Sequence, residues 1–387
     1  MTSVPPAQAI GIVGGRVLLA DGEVRHADVT LRDGLIARVG DGTIAKRTLD
    51  ARDLLVLPGI VDIHGDAFER QLQPRPGVDF PPSIALADTE AQLLANGITT
   101  AFHGVTLSWE PGLRSLPAWL ALLDALGAGG FACDMRVHLR WEAFNLDALD
   151  VALADIAAGR VHLLAFNDHT PAILRGAANP VAGSKYSERA GMALDAFRAL
   201  TERIAARVDA VPAAQQRIAA AARAAGIPMA SHDDATPEER AAFRALGAHI
   251  CEFPMAEAVA EAAHAAGDFV VMGSPNVVRG GSHLGWASAA RLAEAGICTV
   301  LSSDYFYPAM LCAALILARG SLGLARAWAL VAANPARAAG LGDRGSIAAG
   351  KRADVILVDP GACRVVATIA AGRIAFLGAE GAARLRL

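Results

Sequence analysis

No apolar run in this chain is long enough to cross a bilayer, and no two of its five cysteines stand as Cys-x-x-Cys. The first absence argues against a membrane-spanning helix. The second, together with the odd count, argues against a disulfide-framed fold and implies reduced thiols in a cytoplasmic protein. Basic charge is not in excess either: the net charge of −4 leaves no footprint for nucleic acid. Met1 to Ala9 carries prolines and no apolar centre, so no signal peptide is expected. What remains is a chain of 387 residues, 53% of them hydrophobic and many of those alanine. That is enough to bury a sizeable core of helices packed closely on small side chains.

Both ends of the chain are rich in short strands and turns. Ile12-Val13, Arg16 to Leu19 and Asp28 to Leu31 are strand-like, and Asp21-Gly22, Asp33-Gly34 and Asp41-Gly42 supply hairpin turns. Gly345 to Val358, Val365 to Thr368 and Ile374 to Leu377 have the same character. The two ends are expected to build one small β-sandwich domain, residues 1–58 plus 343–387. Between them, 59–342 alternates apolar strands with helical segments. Strands are expected at Ile60 to Ile63, Thr99 to Phe102, Arg136 to Leu139, His162 to Phe166, Pro228 to Ala230, Ile250 to Phe253, Phe269 to Met272 and Thr299 to Leu301. Eight such units over this length predict an α/β chain with a (β/α)8 TIM barrel. The stretch from Gly191 to Ala225 reads as a helical insertion.

Barrels of this kind carry their chemistry where the strands end. The first strand stops on His64-Gly65-Asp66, and side chains two apart on a strand share a side. An imidazole beside a carboxylate suits zinc or a similar divalent ion. The plain alternative is a turn, with His64 bonded to a loop and Asp66 capping a helix. The other strand ends offer His103, Arg140 and Glu142, Asp168 and His169, Ser231-His232-Asp233-Asp234, Glu252, Asn276 with Arg279 and His283, and Ser302-Ser303-Asp304. Asp233 and Asp234 read as caps for the helix that follows. Converging acids and histidines would repel and desolvate one another without a cation, so the set as a whole implies a metal.

Pro58-Gly59-Ile60-Val61-Asp62-Ile63-His64, His232 after a later strand, Ser303-Asp304 after the last and the ending Gly350-Lys351-Arg352-Ala353-Asp354 resemble the amidohydrolase superfamily. That resemblance implies a metal-dependent barrel hydrolase with a β-sandwich from both termini. The superfamily ordinarily ends its first strand in His-x-His, whereas this chain has His64-Gly65-Asp66. Longer runs narrow the likeness: His138 to Glu142, Asp168 to Pro171, Gly183 to Ser187, Ser231 to Thr236, Pro275 to His283 and Ser302 to Tyr305. They resemble the diphosphatase family of the carbon–phosphorus lyase (phosphonate) pathway, which converts a ribose 1-methylphosphonate 5-triphosphate to the 5-phosphate and pyrophosphate.

The resemblance implies roles for individual residues. His64, His232 and Asp304 would bind metal, with Asp304 also the general base and His232 beside it in catalysis. Asp66 would take the place of the second histidine, and Glu142 would bridge two ions. Asp168, His169 and Glu252 stand where further ligands occur and are left between metal and substrate. The cofactor expected is one or two divalent ions, zinc first, manganese or iron otherwise. Arg75, Arg140, Lys185, Asn276, Arg279 and His283 are expected to meet a phosphorylated ribose, because departing pyrophosphate needs cations and donors. No nucleic-acid or membrane partner is expected, and a homo-oligomer stays open. The rival readings are an amidohydrolase that cuts a C–N bond and a non-catalytic scaffold. An apolar pocket for a neutral ring would favour the former, and missing ligands the latter.

Overall fold

A computed structural model describes residues 9–42, 45–75, 77–281 and 287–386. Eight parallel strands pair in sequence order: β1 (Ile60–Gly65), β2 (Ile98–Leu107), β3 (Asp134–Glu142), β4 (Leu163–Asn167), β5 (Met229–His232), β6 (Ile250–Glu252), β7 (Phe269–Gly273) and β8 (Val300–Ser302). All eight fall where the apolar runs place them. Strands β2 and β3 run further than expected, so His103, Arg140 and Glu142 lie within strands rather than after them. Ile63, Phe102, Leu163, Ala230, Val271 and Val300 fill the interior, which makes the barrel a packed core.

The ring is joined between β1 and the segment after β8. The Asp66 amide donates to the Asp304 carbonyl at 2.9 Å, and the Asp304 amide donates to the His64 carbonyl at 3.0 Å. The buried Asp62 carboxylate accepts from the Ser303 amide at 3.0 Å and the His64 amide at 3.3 Å. Gly65 is required at this seam. A Cβ there would lie 2.7 Å from both Asp62 Oδ2 and Ser303 Oγ.

The helical insertion is longer than the sequence suggests and begins at Thr170 rather than Gly191. Between β4 and β5 lie helices Thr170–Ala178, Pro180–Arg189, Leu194–Ala205 and Val211–Ala224. Apolar spacing alone missed the first two, which are short and carry a proline at or beside their first position.

The chain ends form one nine-stranded sheet. Its two halves meet where Leu55–Pro58 runs antiparallel to Val355–Asp359, with Leu57 opposite Ile356 and Val56 opposite Leu357. Side-chain alternation splits this pair between two cores. Leu55, Leu57, Ile356 and Val358 face the barrel helices, while Val56, Val355 and Leu357 face the sheet's own interior. Ile12-Val13 and Arg16 to Leu18 belong to one strand, Ile10–Leu18, with a bulge between Ile12 and Gly15. Asp33 (φ 52°) and Gly34 (φ 79°) form the expected tight hairpin turn. Asp41-Gly42 does not: the next strand, Arg47–Asp50, crosses to run parallel to Ile10–Val13.

Removing residues 344–387 strips the partner strand from Leu55–Pro58 and uncovers Leu55 and Leu57. The truncated chain is expected in the insoluble fraction. A soluble truncation with a cooperative thermal transition would show that the N-terminal strands fold without the C-terminal ones.

Candidate active site

Glu252, at the end of β6, is the buried floor of the site. Its carboxylate lies 3.0 Å from His64 Nδ1, 3.4 Å from His232 Nδ1 and 3.7 Å from His138 Nε2. The His64 and His232 rings stack at 5.1 Å, and His138 meets His64 edge-on at 5.0 Å. Above them Arg140, from β3, donates to His232 Nε2 at 2.8 Å and to Asp66 at 3.3 Å. Burial, with the Arg140 guanidinium, holds His64 and His232 well below the ordinary imidazole range. His138 is held down to about 3 by burial, against the pull of Glu252. The floor is therefore built of neutral imidazoles. Burial also pushes Glu252 up to about 7.

This donor set fits a divalent cation. His64 Nδ1, His138 Nε2 and Glu252 Oε1 are buried with no hydrogen-bond partner. Orphaned buried donors and acceptors are costly unless something satisfies them. Neutral imidazole nitrogens facing a carboxylate are what zinc and its neighbours bind. Among the described residues, two groups have ligand atoms close enough together for one ion: His64, His232 and Glu252, and His169, His232 and Asp233.

A cavity of about 270 Å³ opens above, lined among others by Asp66, Arg140, Asp233, Asn276, Arg279 and Asp304. Just beyond the ends of barrel strands, three described residues other than glycine have left-handed backbones: Asp233 (φ 60°) after β5, Phe253 (φ 52°) after β6 and Asp304 (φ 55°) after β8. Such conformations are costly for these residue types and gather at functional sites. Here they turn Asp233 and Asp304 into the mouth. Asp304's carboxyl is pushed up to about 7, first by burial and then by Asp66.

Several expected residues have other positions. Glu142 is buried with both oxygens on His169, from its ring Nδ1 and its backbone amide (3.2 Å), so it orients that histidine. Asp168 is exposed and accepts from the Thr170 amide, and partial burial, then the neighbouring Glu142, push its carboxyl up to about 6. Asn276 lines the cavity, but its amide bonds Ala287 O at 3.2 Å and Ala289 N at 3.1 Å, which holds that loop. Arg279 closes the helix Ser274–Arg279, capped by left-handed Gly280, and its guanidinium donates to Tyr305 Oη at 3.4 Å. Arg75 lines a separate cavity with Glu69, Arg70, Glu110, Arg114 and Glu188. His283 and the Lys185 side chain lie outside the described residues. His103 is buried against Phe68 and does not line the mouth.

Asp233 is no helix cap: it faces His232 at 3.6 Å and His169 at 3.8 Å. Nor is Asp234, which is buried on Ser231 and Arg240, while Thr236 caps the following helix. His138 was not singled out from the sequence. The signal was available, since it is two residues before Arg140 on the same strand and so shares its face.

Residues 85–376 match the family model described as "Amidohydrolase family". Over 357 residues the chain is 33% identical to the alpha-D-ribose 1-methylphosphonate 5-triphosphate diphosphatase of Escherichia coli (strain K12), covering 89% of this chain and 94% of that protein. Among solved structures, the beta-aspartyl dipeptidase of Fervidobacterium islandicum AW-1 superposes with a TM-score of 0.64 at 15% identity, covering 96% of this chain and 97% of that one. Molinate hydrolase superposes at 0.63 with 16% identity, covering 96% and 95%. At such identity these two structures speak for the fold alone.

Glu252→Gln keeps the volume and removes the charge from the floor. Bound divalent metal, measured by elemental analysis, is expected to fall roughly tenfold or more with unchanged secondary structure; full metal content would exclude Glu252 as a ligand. A second prediction concerns His169. Burial alone would lower it, but hydrogen bonds to Asp233 and Glu142 raise it to about 9. A raised folded pKa contributes stability that is complete below the unfolded value, near 6.5, and is lost as pH rises through about 9. In metal-free protein, His169→Gln should remove roughly 1–2 kcal/mol at pH 6, discounted for partial exposure, and close to nothing at pH 10. Equal destabilisation at both pH values would show that the imidazolium is not what stabilises.

Proposed function

The chain belongs to the amidohydrolase family, and on that basis we propose that it hydrolyses the triphosphate of a phosphorylated ribose, α-D-ribose 1-methylphosphonate 5-triphosphate, to the 5-phosphate and pyrophosphate. The observation that carries this reading is the pairing of cations with the histidine–carboxylate floor: Arg140 and Arg279 line the same cavity as His64, His232 and Asp304. The 33% identical diphosphatase supports the same reaction.

A divalent ion held by His64, His232 and Glu252 would supply water activation and Lewis-acid polarisation of a phosphoryl oxygen. The side chains around it account for the rest. Asp304, poised near pH 7, is suited to take the proton of the attacking water. Arg140 is fixed by Asp66 and His232, so its guanidinium meets the phosphate chain without reorganising. His169, kept protonated by Glu142 and Asp233, adds a positive charge beside His232. Arg279 is exposed and, among the described residues, donates to the neutral Tyr305 hydroxyl, so its charge is available to oxygen ligands. Cutting an amide or ring C–N bond would call instead for a largely apolar pocket around a neutral substrate.

Phosphorus NMR of metal-loaded protein with the ribose triphosphate tests the reaction directly. Pyrophosphate and the 5-phosphate are expected in equal amounts; release of inorganic phosphate alone, or no turnover, would overturn the assignment. Arg279→Lys keeps the charge but loses the two-pronged grip on phosphate. Its kcat/KM on the triphosphate should drop roughly tenfold or more, about 1.4 kcal/mol, at unchanged metal content. The loss on a diphosphate analogue should be smaller. Equal losses on the two would mean that Arg279 only braces its loop against Tyr305.

A further inference from the structure

Two thiols far apart in sequence meet at the boundary between barrel and terminal sheet. Cys312 lies on the helix Ala309–Arg319, which follows the Asp304 loop. Cys363 lies in the turn joining Val355–Asp359 to Arg364–Ala370. Their sulfurs are 3.0 Å apart across 51 residues of chain, the Cys363 thiol donating to Cys312. A bonded pair stands at about 2.0 Å, so closure needs only about an ångström of movement.

The surroundings hold the pair in register. Asp359 Oδ1 accepts from the Gly361 amide at 2.9 Å and the Ala362 amide at 3.1 Å, which shapes the turn. Arg319, at the end of the same helix as Cys312, donates to the Pro360 carbonyl and pins the turn to the helix. Cys363 has φ 50°, a left-handed conformation that directs its side chain back to the helix. The other three cysteines, Cys133, Cys251 and Cys298, are buried, whereas Cys312 and Cys363 are both partly exposed.

We propose that Cys312 and Cys363 are a redox-responsive pair, closed to a disulfide by thiol–disulfide exchange with a small-molecule disulfide of the glutathione type. The exchange begins on Cys312, because its sulfur accepts the hydrogen bond of the Cys363 thiol, an arrangement that favours the thiolate on Cys312. The Cys312 thiolate attacks one sulfur of the oxidant, forming a mixed disulfide and releasing one small thiolate. Cys363 then attacks the Cys312 sulfur, its proton passes to the second departing thiolate, and the ring closes. Two protein thiols are oxidised and the small disulfide is reduced to two thiols. The bond would fasten the helix that follows Asp304 to the strands of the terminal sheet.

The test is incubation of the full-length protein with oxidised glutathione, then alkylation, intact mass and peptide mapping. The expected result is a monomer that has lost two hydrogens, with two of the five thiols protected from alkylation and one peptide pair linking 312 to 363. Its melting temperature should exceed that of dithiothreitol-treated protein by several degrees. Cys312→Ser and Cys363→Ser should each abolish both the linked peptide and the shift. A stable glutathione adduct on Cys312 with no linked peptide would overturn the proposal, as would a disulfide between two chains. So would a shift in melting temperature that survives in either variant.

Discussion

The join between β1 and the segment after β8 governs the rest of the molecule. Two backbone hydrogen bonds, Asp66 to Asp304 and Asp304 to His64, link the first strand of the barrel to the last. The buried Asp62 carboxylate braces the same seam from behind through the Ser303 and His64 amides. The residues that close the ring are thus ones whose side chains build the site, His64 at its floor and Asp66 and Asp304 at its mouth. Because amide and side chain belong to the same residue, closure of the barrel and assembly of the site are a single event. Room for this exists only because Gly65 has no side chain between Asp62 and Ser303.

Charge is sorted by depth. At the bottom, burial keeps His64, His138 and His232 neutral around Glu252, a set that is incomplete electrostatically without a cation. One layer higher, Arg140 and His169 carry positive charge, each tied to carboxylates: Arg140 to Asp66, and His169 to Glu142 and Asp233. At the rim, Arg279 meets the neutral Tyr305 hydroxyl among the described residues. The triphosphate proposed above would meet the exposed Arg279 first and the buried Arg140 last, in a setting where the dielectric falls with depth. This order suits a substrate whose charge shifts to its leaving group.

The terminal sheet acts on the site at one remove. Its alternating side chains divide between its own core and the barrel helices, so it cannot detach without exposing both surfaces. The helix after the Asp304 loop touches it through Arg319 and through the Cys312–Cys363 contact. Changes at that boundary have a short covalent path to the mouth.

Much of this was legible in the sequence. Eight apolar runs with polar endings, between two strand-rich termini, determine a barrel and a sheet, because burial on both faces requires continuous apolar strands. His64, His232, Asp304 and Arg140 could be picked out because they stand at or near strand ends, where a barrel's side chains converge. Only the tertiary structure decided how the remaining candidates divide. Glu252 became the floor and Glu142 a support for His169, although both end strands. Asp233 entered the mouth while its neighbour Asp234 was buried behind it on Arg240. Arg75 and Arg279, both basic residues on connections, went to different cavities. The physical reason is that a left-handed backbone at Asp233, Phe253 and Asp304 breaks the alternation from which facing is read. Such conformations are unfavourable locally and persist only because the closed barrel imposes them.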